Sequence, residues 1–298
     1  MRFKKIIPAL FVTFLPWMGM QAGGYIYMSG ALGYAAHFDE IDQSKPAFGL
    51  GGAYGVGFEI HSGHFLGDIG LEAQYAYTTN KIENQEVTFR MNDTEGDAFT
   101  YIGRFSDRKD RSHEVNLKIP LMLGAQFGKF YFLAGGRVGL NVLGKGKSTA
   151  DLYSMGDYDR FIDPFERMPN HGYSGQSLTS KSDLSYNLSA AVCAEIGLEL
   201  GETRSHTGFS LIHKNRTTRY RVGLFAEYGV LNVHNNEVKG NMTDVTVSEY
   251  MRAQLNHVYL STEAYKKSVV PFFAGVRFTM LFQLKERRRC VVCDLKEM

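Results

Sequence analysis

The chain has 298 residues, 44% hydrophobic and 21% charged, with 32 Gly, 17 Tyr and 21 Phe. That apolar mass excludes a disordered chain, and so much glycine beside so many aromatics argues against a helical one. The formal charge of +2 provides no basic stripe for nucleic acid, and the short KERRR at 285–289 reads as a solvated flank.

In chain order the first element is a leader. MRFKK is positively charged, IIPALFVTFLPWMGM is apolar, and MQA offers a small-residue cleavage site near Ala22, the pattern of a secretory signal over residues 1–22. Removing it takes away Arg2, Lys4 and Lys5 and leaves 30 basic against 31 acidic residues. No later stretch reaches the length of an apolar membrane helix.

Eight segments then alternate apolar and polar residues at period two, the signature of strands with two different faces. They are 25–38, 47–60, 66–78, 113–126, 129–143, 184–200, 218–233 and 269–284. Each exceeds the usual soluble strand and is long enough to cross a bilayer when tilted. Within 113–142, Val115, Leu117, Ile119, Leu121 and Leu123 alternate with Glu114, Asn116 and Lys118, and a tight link at Phe127-Gly128 starts the next strand. Pro120 fits badly inside a strand because it lacks an N–H, so a bulge or solvated gap is expected there.

The spacers also alternate. Long ones at 39–46, 79–112, 144–183 and 234–268 are separated by mostly short ones, as in membrane barrels with short turns on one side and long loops on the other. The spacer 201–217 is longer than that rule prefers and reads as an extended hairpin end. Within the last long spacer, 248–260 is expected to form a short amphipathic helix, with Tyr250, Leu255 and Tyr259 near helical spacing.

One face of the strands carries residues such as Phe48, Leu50, Tyr54, Phe58, Leu71, Tyr75, Leu224, Val276 and Phe278. The other carries glycine and serine with Glu59, Glu72, Glu114, Glu195, Glu199, Glu227, Lys118, Arg137, Arg219, Arg221 and Arg277. A lipocalin-like barrel would enclose the apolar face around a ligand, whereas a membrane barrel encloses the polar face. Gly49, Gly51, Gly55, Gly57, Gly135 and Gly139 on the polar face suit a crowded interior. Tyr77, Phe130, Tyr220 and Phe282 near strand ends suit interfacial aromatic girdles. The expected fold is therefore all-β: an eight-stranded antiparallel up-and-down transmembrane β-barrel over 23–284, with long extracellular loops and a short periplasmic tail at 285–298.

The stretches NLKIPLMLGAQFG, KFYFLAGGRVGLNV, RVGLFAEYGVLNV and VVPFFAGVRFTMLFQL resemble the small outer-membrane β-barrel proteins of Bacteroidota, often labelled porin-like. The resemblance spans about 25–284. It implies an outer-membrane location and carries no catalytic motif.

An eight-stranded barrel is just wide enough to be filled by its own side chains. An interior charge network is expected from Glu59, Glu72, Lys118, Arg137, Glu195, Glu199, Arg221, Glu227 and Arg277, since buried charges are tolerable only when paired. The expected role is structural or surface-binding, carried by the loops and non-enzymatic. One alternative is a narrow channel for small solutes or ions past Arg137 and Glu195, and another is a lipid-modifying enzyme or protease using His37, His113 or His234. No spacing ties Ser, His and Asp together, and no catalytic, cofactor-binding or metal-ligating residues are expected. Expected partners are outer-membrane lipid and lipopolysaccharide, and a surface protein or glycan at the loops, with the protein a monomer and no cofactor. Cys193 reads as a small apolar filler. Cys290 and Cys293 form a lone CxxC, for which export makes a disulfide available while metal or redox use needs further ligands.

Overall fold

The computed structural model describes residues 23–160, 169–205, 216–247 and 251–284. The expected leader, the 285–298 tail and Tyr250 lie outside these residues.

Among the described residues twelve strands form, because strand structure runs through far more of the chain than the eight segments. They are β1 (Gly23–Asp39), β2 (Ser44–Ser62), β3 (Phe65–Ile82), β4 (Gln85–Asn92), β5 (Ala98–Phe127), β6 (Phe130–Tyr158), β7 (Asn170–Asp183), β8 (Ser189–Ser205), β9 (Arg216–Gly229), β10 (Thr243–Val247), β11 (Met251–Leu255) and β12 (Val269–Gln283). Ten of them make one antiparallel sheet in the order β4-β5-β3-β2-β1-β12-β9-β8-β6-β7, and β10 and β11 make a separate hairpin. β5 is also paired with β6, from Phe99 opposite Tyr158 to Phe127 opposite Phe130.

The sheet coils over one of its faces. Lys118 of β5 meets Glu227 of β9, and Arg221 of β9 meets Glu59 of β2, although neither strand pair is adjacent in the sheet order. Along the first half of β1 the alternation is regular: Tyr25, Tyr27, Ser29 and Ala31 are buried while Ile26, Met28 and Leu32 are exposed. The enclosed side is tight where strands approach. A Cβ on Gly33 would lie 2.1 Å from the Ala274 carbonyl oxygen, so this crossing requires glycine.

The expected eight-stranded transmembrane barrel with long loops is corrected to this ten-stranded coiled sheet with its separate hairpin. The segments 79–112 and 144–183 looked like loops because charges are mixed through them. In fact they hold β4, β7 and the outer halves of β5 and β6. β4 continues the line of β3 along β5, with Lys81 opposite Lys109 and Gln85 opposite Phe105. β7 similarly precedes β8 along β6. The four strands β4-β5-β6-β7 thus form a blade beyond the end of β2, which stops at Ser44 opposite Ile82. The inner face of the blade packs Phe105, Ala150 and Leu152 against Leu255 of the β10-β11 hairpin.

Three smaller expectations also change. Residues 251–255 are strand β11, and Val258–Leu260 is a single 3-10 turn, because backbone pairing with β10 outweighs the weak helical spacing of Leu255 and Tyr259. The β5–β6 turn is Gly128-Lys129, one residue later than expected, with Gly128 at φ 60°. At Pro120 the pairing with β3 lapses between Leu121 opposite Ile69 and Lys118 opposite Glu72 without a shift of register. Pairing with β6 continues through Pro120 opposite Arg137, so the missing N–H costs one side of the ladder and produces no bulge.

Candidate functional site

The enclosed face gathers four carboxylates and four cations with 5% exposure or less: Glu59, Glu72, Glu195 and Glu227, with Lys118, Arg137, Arg221 and Arg277. Strand alternation points each of them inward, and coiling brings together residues far apart in sequence. Arg137 Nη1 donates to Glu72 Oε1 at 3.1 Å and to Glu227 Oε2 at 2.8 Å. Lys118 also donates to Glu227. Arg277 Nη2 donates to Glu72 Oε2 at 2.7 Å, and its Nε lies 3.5 Å from Glu195 Oε2. Glu195 Oε1 accepts a 2.6 Å hydrogen bond from Tyr131. The guanidinium of Arg277 also stacks 5.2 Å from the Phe225 ring centroid, a favourable cation–π placement.

Toward the Phe127–Phe130 turn a second group centres on Arg221. Its Nη1 donates to both oxygens of Glu59 at 2.7 and 2.9 Å, and its Nη2 donates to Gln126 Oε1 at 2.7 Å. Glu199 lies 3.5 Å from Arg221 Nε and 3.6 Å from Arg219 Nη1, and is less enclosed than the others. Burial pushes the Glu59 carboxyl up, but its bond with His61 and the charge of Arg221 outweigh that and hold it low. Burial likewise raises Glu227, and Lys118 and Arg137 more than reverse it. Asp68 lacks such a cation contact: burial and the nearby Glu59 raise it to about 7.

All nine residues expected in the network thus have recorded ion-pair partners. Sequence reasoning missed a third polar cluster at the other end, because Arg108 and Asp110, which complete it, lie in the segment 79–112 read as a loop. Arg108 and Asp110 of β5 clamp both ends of the β10-β11 hairpin: Arg108 Nη1 donates to the Met242 carbonyl at 2.7 Å, and Asp110 Oδ2 accepts from the Val258 N–H at 2.6 Å. Beneath lies His37, whose Nε2 is 3.3 Å from Glu114 Oε1, with the rings of Tyr186 and Tyr259 5.7 and 5.6 Å away. Burial lowers His37, but the Glu114 charge and hydrogen bond prevail and raise it. Burial raises Glu114, and His37 reverses that. SDRKDRSHE is polar at every position, so the sequence carries no apolar alternation that would have revealed this cluster.

The three candidate histidines have separate partners. His37 pairs with Glu114, His113 shares a 2.7 Å bond with Tyr75 Oη, and His234 Nε2 lies 2.7 Å from the Tyr259 carbonyl oxygen. Cys193 is buried beside Met122, and burial raises its thiol to about 11. The narrow-channel expectation is corrected: Arg137 and Glu195 are buried. The two cavities bordering His37, Glu114 and Lys118 measure about 20 Å³ each, room for about one water.

The outward face is the reverse of this. Leu32 is 70% exposed, Leu140 60%, Ile196 58%, Leu224 63% and Phe58 55%, and they belong to one apolar band across the coiled part of the sheet. Rings cluster at its edge on the blade side, where Phe38 contacts Phe272 at 5.5 Å and Tyr77 contacts His113 at 4.9 Å. On the blade the outward residues become polar, as with Glu86, Thr88, Arg90 and Arg104. There a groove of about 510 Å³ runs past Arg104, Tyr153 and Met155.

No family model matches the chain. No curated protein matches it either. Among solved structures, the chain is similar to the crystal structure of Ail, the attachment invasion locus protein of Yersinia pestis, in complex with the heparin analogue sucrose octasulfate. Identity is 10%, coverage is 87% of this chain and 99% of that one, and the TM-score is 0.22, too low to carry an argument. The porin-like Bacteroidota assignment is therefore corrected: no family is shown. The outer-membrane location and the surface or channel role rested on that assignment and on the eight-strand, long-loop layout, and they are not carried further. Among the described residues no helix is long and apolar enough to cross a membrane.

Proposed function

We propose that this protein is a non-enzymatic scaffold that binds lipid, with acyl chains covering the outward face of its coiled sheet. The observation that carries this reading is the inversion of the usual arrangement. The ionised side chains are enclosed and paired, while Leu32, Phe58, Leu140, Ile196 and Leu224 stand exposed on the outside. Exposed apolar patches of more than a few hundred Å² mark interaction surfaces, and covering each such side chain is worth roughly 1.5–3 kcal/mol. Tyr77 and Tyr228 at the edge of the band, beside Phe38 and Phe272, fit a boundary where the ring is apolar and the hydroxyl is wet. The paired interior serves to hold the sheet's curvature, which presents the band as one continuous surface.

Flotation of the purified chain with phosphatidylcholine vesicles tests the reading. The wild type is expected to float with the vesicles, and Leu224→Arg, placing a cation in the band, is expected to reduce the bound fraction. Thr100→Arg on the blade serves as the matched control and is expected to leave binding unchanged. Equal flotation of all three, or none by the folded wild type, would refute lipid coverage of this face.

A further inference from the structure

The blade has two edges, and they differ. Among the described residues β4 has β5 as its single strand neighbour, and β7 has only β6. An unpaired edge is a template for another strand, and proteins usually blunt such edges with bulges, proline, short strands or charged side chains, lysine above all. β7 is blunted in this way. Its pairing with β6 shifts register twice near Tyr153, and Gly172 and Gly175 have φ of 91° and 70°. β4 has no bulge. Its sequence, QEVTFRMN, contains no Gly, Pro or Lys, and it pairs with β5 without interruption from Gln85 to Asn92.

The sequence of β4 is complementary to itself. In a two-fold antiparallel pair centred on Thr88, Glu86 meets Arg90 of the second copy and Arg90 meets its Glu86. Val87 then meets Phe89 and Gln85 meets Met91 on the opposite face. In such a register odd positions meet odd and even meet even, so the backbone groups pointing off the edge of one copy face those of the other. Opposite charges and an aromatic facing a β-branched residue are both favourable cross-strand pairs. Glu86, Thr88 and Arg90 are all exposed. The contacts that Glu86 and Arg90 now make, with Arg104 at 2.8 Å and Asp159 at 2.7 Å, lie at the surface, where ion pairs exchange at little cost.

We propose that two copies of this chain associate through β4, joining their blades edge to edge about a two-fold axis at Thr88. This departs from the monomer expected from sequence and does not depend on lipid binding. A single strand pair is a small isologous interface, which predicts a reversible dimer.

Disulfide trapping in the full-length chain tests it, with Cys290→Ser and Cys293→Ser removing the tail thiols and buried Cys193 left in place. Thr88→Cys puts the two thiols directly opposite each other, within reach of a disulfide. Asn92→Cys keeps the same exposed strand but places the thiols far apart. Under mild oxidation Thr88→Cys is expected to give a covalent dimer and Asn92→Cys is not. Adding Glu86→Arg sets like charges across the axis and is expected to cut the Thr88→Cys yield by about fivefold or more. The exchange Glu86→Arg with Arg90→Glu is expected to restore it, which separates loss of pairing from loss of folding. No dimer from folded Thr88→Cys, equal dimer from Asn92→Cys, or a yield insensitive to Glu86→Arg would each overturn the proposal.

Discussion

Glu227 offers the sharpest test of the enclosed charge network. It accepts from both Lys118 and Arg137, whereas Arg137 has a second carboxylate in Glu72 and Lys118 has no other ion-pair partner among the described residues. At the 2.8 Å spacing of Arg137 and Glu227, two unit charges at an effective dielectric of about 20 attract by about 6 kcal/mol. The desolvation of each ion costs several kcal/mol, so the net worth of the pair is far smaller than its attraction. Breaking the pair from one side is costly because the stranded charge keeps its desolvation penalty. Glu227→Gln leaves Lys118 buried without a counter-charge and is expected to cost about 3–5 kcal/mol. Lys118→Met leaves Glu227 with Arg137 and is expected to cost less, about 1–3 kcal/mol. In the double variant the enclosed charge is again balanced, so its cost is expected to fall below the sum of the two by at least about 1.5 kcal/mol. Urea unfolding of the detergent-solubilised chain, followed by far-ultraviolet circular dichroism, measures all four corners of the cycle. An additive double variant, or a cost below about 1 kcal/mol for Glu227→Gln, would show that these groups are solvated and refute the enclosed, paired reading.

Three further outcomes follow from the geometry. His37 is raised and Glu114 lowered by their contact. The His37 contribution is therefore fully present below its ordinary value of 6.5 and lost as pH rises through the raised one, and the Glu114 contribution is present above 4.5 and lost as pH falls through the lowered one. The stability advantage of wild type over His37→Gln should be largest between those two values and shrink toward alkaline pH, and an advantage independent of pH in thermal melts would count against the pair. Gly33→Ala should destabilise by about 2 kcal/mol or more, since its Cβ would meet the Ala274 carbonyl oxygen at 2.1 Å. An unchanged unfolding midpoint would mean that the strands are not so close. Arg108→Met should release the segment between Met242 and Val258 and speed its cleavage in limited proteolysis, while cleavage rates matching wild type would show that the clamp is dispensable.

The period-two alternation made strands legible wherever it was long and clean. It also separated the faces, because a side chain's direction in a strand follows from the parity of its position alone. Parity alone thus places Glu72, Arg137, Glu227 and Arg277 together on a polar side. Which carboxylate meets which cation was not legible. Lys118 and Glu227 lie on β5 and β9, which are not adjacent, and only the coiling of the sheet brings them together. The outer halves of β5 and β6 were hidden because their charges, such as Arg104, Lys109 and Asp151, look like loop composition; strand pairing decides their state and composition does not. The helical spacing in 248–260 is likewise overridden by tertiary contacts: β11 pairs with β10, and Asp110, well over a hundred residues earlier, accepts from the Val258 N–H that opens the 3-10 turn. By itself the sequence determined strand character and the division into two faces, both of which are local properties of an extended backbone. The partners across the enclosed space, the blade with its one smooth edge at β4, and the clamped end depend on contacts between distant segments, and the tertiary structure alone decided them.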